Sequence, residues 1–134
     1  MLATALAAER HLRGHGVSTT VVNVPVIKPL DTATVERVAA ACRAVVTAEN
    51  HSIVGGLGTA VAETLAEAGV GRRLHRIGLA DTFAEGAATA AYLFDKYGLS
   101  TRHVVERVWT AAGRSAPGPS PPTVAAEPGE YAPV

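Results

Sequence analysis

Aromatic side chains are scarce in this chain of 134 residues, which holds one tryptophan, three tyrosines and two phenylalanines. Its core must therefore come from aliphatic residues and its abundant alanine, a composition that suits helices packed closely on a sheet. Cysteine occurs once, at Cys42, which excludes an internal disulfide and points to a reducing compartment, the cytoplasm. Cys42 falls on the apolar face of a helical repeat, the position of an inert buried thiol rather than a nucleophile. No charge of either sign dominates: twelve basic and twelve acidic residues give a formal net charge of zero. Without a basic or acidic block, nothing draws the chain to nucleic acid or an anionic membrane. No apolar run approaches the length of a membrane span. The terminal run Met1 to Ala8 is closed by Glu9 and Arg10 too early for a signal peptide. The length is enough for one domain with one core.

What is present centres on Arg43 to Ala66, RAVVTAENHSIVGGLGTAVAETLA. Ala44 to Thr47 is an apolar run of the kind buried on both faces of a sheet. Glu49, Asn50, His51 and Ser52 break it, and Gly55, Gly56 and Gly58 follow where the backbone must turn or approach another surface. Leu57, Val61, Leu65 and Ala68 then repeat at helical spacing. The segment reads as strand, polar turn, glycine turn and helix, and such strand-to-helix turns are where open α/β sheets carry function.

Around this centre the elements alternate. Leu2 to Arg13 reads as a helix stopped by Gly14 and Gly16. Val17 to Ile27 is rich in β-branched residues and reads as a strand, with Pro25 and Pro29 placing its later part at a sheet end or edge. Asp31 is placed to cap the next helix, flanked by Leu30 and Val35 at the positions of a hydrophobic staple. Leu74 to Leu79 reads as a shorter strand, followed by Asp81, a loop and a helix from about Gly86 to Tyr97. Ser100 or Thr101 caps a last helix whose Val104, Val105, Val108 and Trp109 face inward. Six of the eight prolines lie from Gly113 onward, with few large apolar residues. Residues 113–134 therefore read as a disordered Pro-rich tail and residues 1–112 as the domain. Alternating strands and helices predict a three-layer α/β/α sandwich with a mainly parallel sheet.

Catalytic signals are few. Gly56-x-Gly58 before a helix, with Asp81 after the next strand, resembles part of a dinucleotide fingerprint. About six residues separate the apolar run from the glycines, and Val61 stands where a third glycine belongs, so the match is weak. Glu49 and His51 sit two apart, where extended backbone would point them to one side as a proton-transfer pair or an interface hydrogen bond. No nucleophile or metal cluster accompanies them, which favours the structural or interfacial role. His11, His15, His75 and His103 lack ligand spacing, and Arg72, Arg73 and Arg76 read as a solvated loop rather than an anion site.

The same turn carries a resemblance. AVVTAENHSIVGGLGTAVAETLA resembles the C-terminal domain of transketolases and their thiamine-diphosphate relatives, deoxyxylulose-phosphate synthase and the β subunits of 2-oxo-acid dehydrogenases. VVNVPVIKPLD is similar to that family's K-P-L-D turn, matching Lys28, Pro29, Leu30 and Asp31. RIGLADTF matches its aspartate-phenylalanine turn through Asp81 and Phe83, and YLFDKYGLS its late helix. The resemblance covers about Leu2 to Ala112, and its histidine and GGLG favour the transketolase branch.

The resemblance implies a C-terminal domain or subunit that serves assembly and is not catalytic alone. Thiamine diphosphate and Mg2+ are then expected on partner domains, none of which this length could hold. No catalytic, cofactor or metal residue transfers; the implied interface or functional turn comprises Glu49, His51, Gly55, Gly56, Gly58 and Asp81. An oligomer containing a thiamine-diphosphate-binding transketolase chain is the expected partner arrangement. The family domain opens with an edge strand and a central strand before its first helix, whereas this chain starts inside that helix. We therefore expect a truncated reading of a longer gene, with the N-terminal strands missing and the Val21 and Val45 strands deprived of the neighbour between them. The alternative is a free-standing α/β binding or regulatory module without enzyme activity.

Overall fold

A computed structural model describes residues 1–86 and 89–122 of the chain. Among these residues the elements run α1 (Leu2–Gly14), α2 (Thr32–Ala40), β1 (Ala44–Ser52), α3 (Leu57–Glu67), β2 (Arg73–Leu79), α4 (Ala90–Lys96) and α5 (Thr101–Ala111). β1 and β2 pair in parallel, from Ala44 opposite Arg73 to Ala48 opposite Ile77. The crossover between them is α3, as parallel pairing requires.

Side-chain alternation along the strands divides the core in two. Val46, Ala48, Ile77 and Leu79 face α1 and α5, where they meet Ala8, Leu12, Leu99, Val104 and Val105. Val45 and Leu74 face α2 and α3, where they meet Ala39, Val61 and Leu65. The sheet is thus covered on both faces, α1 packing on α5 and α2 on α3. This is the expected three-layer α/β/α arrangement with a parallel sheet.

Val17 to Ile27 departs from expectation, for it is not a strand. Val17 is buried beside Leu12 and its amide donates to the Leu12 carbonyl at 3.0 Å. From Ser18 to Pro29, no backbone-to-backbone hydrogen bond joins the segment to another described residue. The reason is physical: β-branched residues favour extended backbone, but a strand exists only where a neighbour completes the ladder. β1 pairs with β2 alone, so its other edge is also without a partner among the described residues.

Other boundaries shift less. β1 runs on through Glu49 to Ser52 instead of ending in a polar turn, with its register broken between Ala48 and Ser52. α4 starts at Ala90, later than the expected Gly86, because Thr89 caps it by accepting from the Tyr92 amide at 3.3 Å. Asp31 caps α2 as expected, its Oδ1 accepting from the Thr34 amide at 3.0 Å. That bond holds the Asp31 carboxyl below its ordinary value. Cys42 is half-buried, its thiol donating to the Val38 carbonyl at 3.1 Å. Within the proline-rich region, Trp109 Nε1 donates to the Ser115 carbonyl at 2.7 Å and Gly118 lies against the indole. Residues 123–134 of the expected tail lie outside the described residues.

Candidate functional site

The glycine turn is built around one buried carboxylate. Thr47 and Glu49 alternate onto the α3 side of β1, and Glu49 is only 8% exposed. Its Oε2 accepts from the Leu57 amide at 2.7 Å and its Oε1 from the Gly58 amide at 2.9 Å. These are two of the free amides that open α3, whose N-cap residue, Gly56, has no side chain to satisfy them. Glu49 therefore caps a helix from the preceding strand, and the positive end of the helix dipole favours its charge.

This arrangement explains the glycines. Gly56 has φ −91°, which any residue can adopt, so space rather than backbone freedom requires it. A Cβ there would overlap Glu49 Oε2 and lie 2.6 Å from the Ser52 carbonyl oxygen. At Gly58 a Cβ would meet Arg76 Cδ at 2.6 Å and Thr47 Oγ1 at 2.9 Å. Gly55 differs, with φ +73° in the region glycine adopts freely. Thr59 closes the turn, its hydroxyl donating to the Ile53 carbonyl at 3.0 Å and accepting from the Gly55 amide at 3.1 Å.

The dinucleotide resemblance fails at the same point. A diphosphate needs the free amides at a glycine-rich helix start, and here an internal carboxylate already holds them. A diphosphate would have to displace Glu49, and its charge would be repelled by the carboxylate if it did not. The residues of this turn do not fit the diphosphate of thiamine diphosphate either. Among the described residues, no three His, Cys, Asp or Glu side chains gather as a metal-binding group.

Glu49 and His51 do not form a proton-transfer pair. Both carboxylate oxygens of Glu49 are engaged with α3, while the exposed His51 contacts the Ser52 carbonyl through Nδ1 at 3.3 Å. Asp81, at the end of β2, has φ +47°, an uncommon conformation for a residue with a side chain. Arg76 reaches across the sheet end to donate to the Ile53 carbonyl at 3.1 Å, which ties β2 to the turn. Arg72 donates to the Ala40 carbonyl at 3.0 Å.

Sequence reasoning missed a second polar cluster, Asp95, Ser100, Arg102 and His103, between α4 and α5. Ser100 Oγ lies 3.0 Å from Asp95 Oδ1 and 2.8 Å from His103 Nδ1. The residue types are those of a hydrolytic triad, but the geometry is not. A triad needs carboxylate and hydroxyl on opposite ring nitrogens, whereas here both approach His103 Nδ1, the carboxylate at 4.0 Å. Arg102 grips Asp95 through two bonds of 2.7 and 2.8 Å, which with Ser100 lower its carboxyl to about 2. Partial burial, and then the Arg102 charge, push the His103 imidazole below its ordinary value. The cluster ties the end of α4 to the start of α5 through side chains, and the Ser100 side chain accepts from no amide of α5.

The family described as "Transketolase, C-terminal domain" matches residues 1–104. The chain is 43% identical over 109 residues to a 1-deoxy-D-xylulose-5-phosphate synthase of Chlorobium phaeovibrioides, covering 81% of this chain and 17% of that protein. It is 45% identical over 105 residues to the 6-deoxy-6-sulfo-D-fructose transketolase subunit SqwH of a Clostridium species, covering 78% of this chain and 32% of that one. A solved structure described as a split gene transketolase, inactive beta4 tetramer, superposes with a TM-score of 0.77 at 40% identity, covering 84% of this chain and 36% of that chain. The chain thus spans about a third or less of the curated relatives just named. It belongs to the transketolase C-terminal domain family.

Proposed function

We propose that this chain acts as the C-terminal domain or subunit of a transketolase-type enzyme of carbohydrate metabolism. In this reading it assembles with cofactor-bearing domains and performs no chemistry alone. The observation that carries it is Glu49: the glycine-rich start of α3 is filled from within, which supports a structural role for the turn over a phosphate cradle. Thiamine diphosphate and Mg2+ then belong to the partner domains, where the cofactor supplies the carbanion chemistry of ketol transfer. Glu49, Gly56 and Gly58 fix the shape of the turn, and His51, Gly55 and Asp81 form its outer part at the interface. Support for a multichain assembly comes from the split-gene neighbour, described as a tetramer. A cytoplasmic location belongs to this reading, supported by the lone thiol of Cys42.

The test uses a graft in which residues 1–112 replace the homologous region of the Chlorobium synthase. The pure chain, given thiamine diphosphate and magnesium, is expected to show no ketol transfer, and the graft to melt as one cooperative unit. Turnover by the pure chain would overturn the proposal, as would a graft in which this region melts independently.

A further inference from the structure

The sequence offers few aromatic side chains, yet two of them and several large aliphatic ones are turned outward. β1 and β2 are parallel and end together, with the Ile53 amide donating to the Leu79 carbonyl at 3.0 Å. Val54, 66% exposed, lies two residues beyond β1, and Phe83, fully exposed, lies four beyond β2. Chain direction brings more to this end. α2 leads into the start of β1, so α2 begins at the carboxyl end of the sheet, and Val26 and Ile27 just before it are both about half exposed. Tyr92, also half exposed, stands in α4 beside the Phe83 loop. At the opposite end, by contrast, the one large aromatic, Trp109, is covered by residues 115–118.

Phe83 is not exposed because its loop hangs free. The Tyr97 hydroxyl accepts from the Glu85 amide at 3.1 Å and lies 3.4 Å from the Phe83 carbonyl, on which it donates. Lys96 pairs with Glu85 and lies over the Tyr92 and Tyr97 rings, 5.8 and 5.9 Å from their centroids. Asp81, at the root of the loop, holds a left-handed backbone. A ring with no contact among the described residues, on a backbone held at both sides, is a preorganised anchor: it loses little freedom on binding and gains its full apolar area.

We propose that Phe83, fully exposed beyond the end of β2, inserts into an apolar pocket on the remainder of a transketolase-type chain. This rests on the assembly reading above and names the anchor of that contact. The occupant is chosen because the relatives compared above all continue well beyond the matched region, so each carries further protein surface that such a patch can meet. Aromatic anchors of this kind dominate the energetics of interfaces.

The test compares Phe83→Ala with Arg72→Ala, a substitution at the far end of β2, in the graft and in the isolated chain. In the isolated chain Phe83→Ala should leave the far-UV circular dichroism unchanged, since the ring is fully exposed. In the graft it should speed tryptic release of this domain at least tenfold, while Arg72→Ala does not. Equal release rates for the wild-type and Phe83→Ala grafts overturn the anchor but leave the assembly reading intact. A wild-type graft that already melts in two independent transitions fails the assembly reading, and the anchor with it. Loss of helical signal in the isolated Phe83→Ala chain would show the ring to be packed, also overturning the proposal. If the substitution abolishes self-association of the isolated chain and leaves the graft unaffected, the occupant is a second copy and the proposal falls.

Discussion

Val17 to Ile27 and Ala44 to Ser52 are similar stretches of sequence with different fates. Both are rich in β-branched or small apolar residues, and both lead toward a helix with a carboxylate at its start. Yet Ala44 to Ser52 is a strand paired to β2, while Val17 to Ile27 forms no ladder among the described residues. The difference teaches that strand propensity states a willingness to be extended, and that a partner decides the rest. Among the described residues, the other edge of β1 and the extended segment from Ser18 to Pro29 are both without a ladder partner. Exposed edges of this kind invite pairing with other chains.

The comparison can be broken most severely on its ordered side. Gly56→Val should destabilise the chain by about 3 kcal/mol, because the new side chain occupies the place of Glu49 Oε2 and strands a buried carboxylate. The first consequence is then collapse of the turn itself rather than a block at an interface. Thermal or urea unfolding would measure it, and an unchanged midpoint would show that Glu49 does not cap α3.

A paired set of truncations sharpens the contrast. Val61→Ala removes a 4%-exposed side chain from the cluster under β1 and should cost about 2 kcal/mol. Val22→Ala, in the unpaired segment and 39% exposed, should cost less than about 0.5 kcal/mol. Equal losses in urea denaturation would mean that the segment is as firmly built as the sheet.

The smallest effect is the response to acid. His75, on the α5 side of β2, is held below its ordinary value by desolvation and then by Arg107 and Arg73, and its buried Nε2 has no hydrogen-bond partner among the described residues. A histidine depressed in the folded state binds its proton more readily when unfolded. Its stabilisation is therefore present above about pH 6.5 and declines as pH falls below that. His103 acts in the same direction. Asp95, at about 2 in the folded chain, adds a further loss as pH falls from about 4 toward 2. His75→Gln should flatten the melting temperature between pH 7 and 5 by a degree or two; an identical slope would contradict this assignment.

Much of this was legible locally. Asp31 declares the start of α2, the apolar repeat declares α3, and Val104 with Val105 marks the buried face of α5. Illegible features depended on groups distant in the chain. Glu49 caps a helix eight residues further on, and its only sequence sign is a lone acid before a helix start that has glycine for a cap. The clasp of Tyr97 on the Phe83 loop spans 14 residues and follows no periodicity. Val17 to Ile27 was misread because a sequence displays a propensity for extended backbone and not whether a ladder partner stands beside it.

Residue-resolved amide hydrogen exchange tests the central claim most directly, comparing residues 18–28 with the β1 amides that bond to β2. In this chain alone, residues 18–28 should exchange at nearly unprotected rates while those β1 amides are protected. In the graft, where the synthase's own sequence precedes residue 1, residues 18–28 should gain protection of at least a hundredfold. Protection of 18–28 equal to that of β1 in the chain alone would contradict the account, since the segment would then already have its partner.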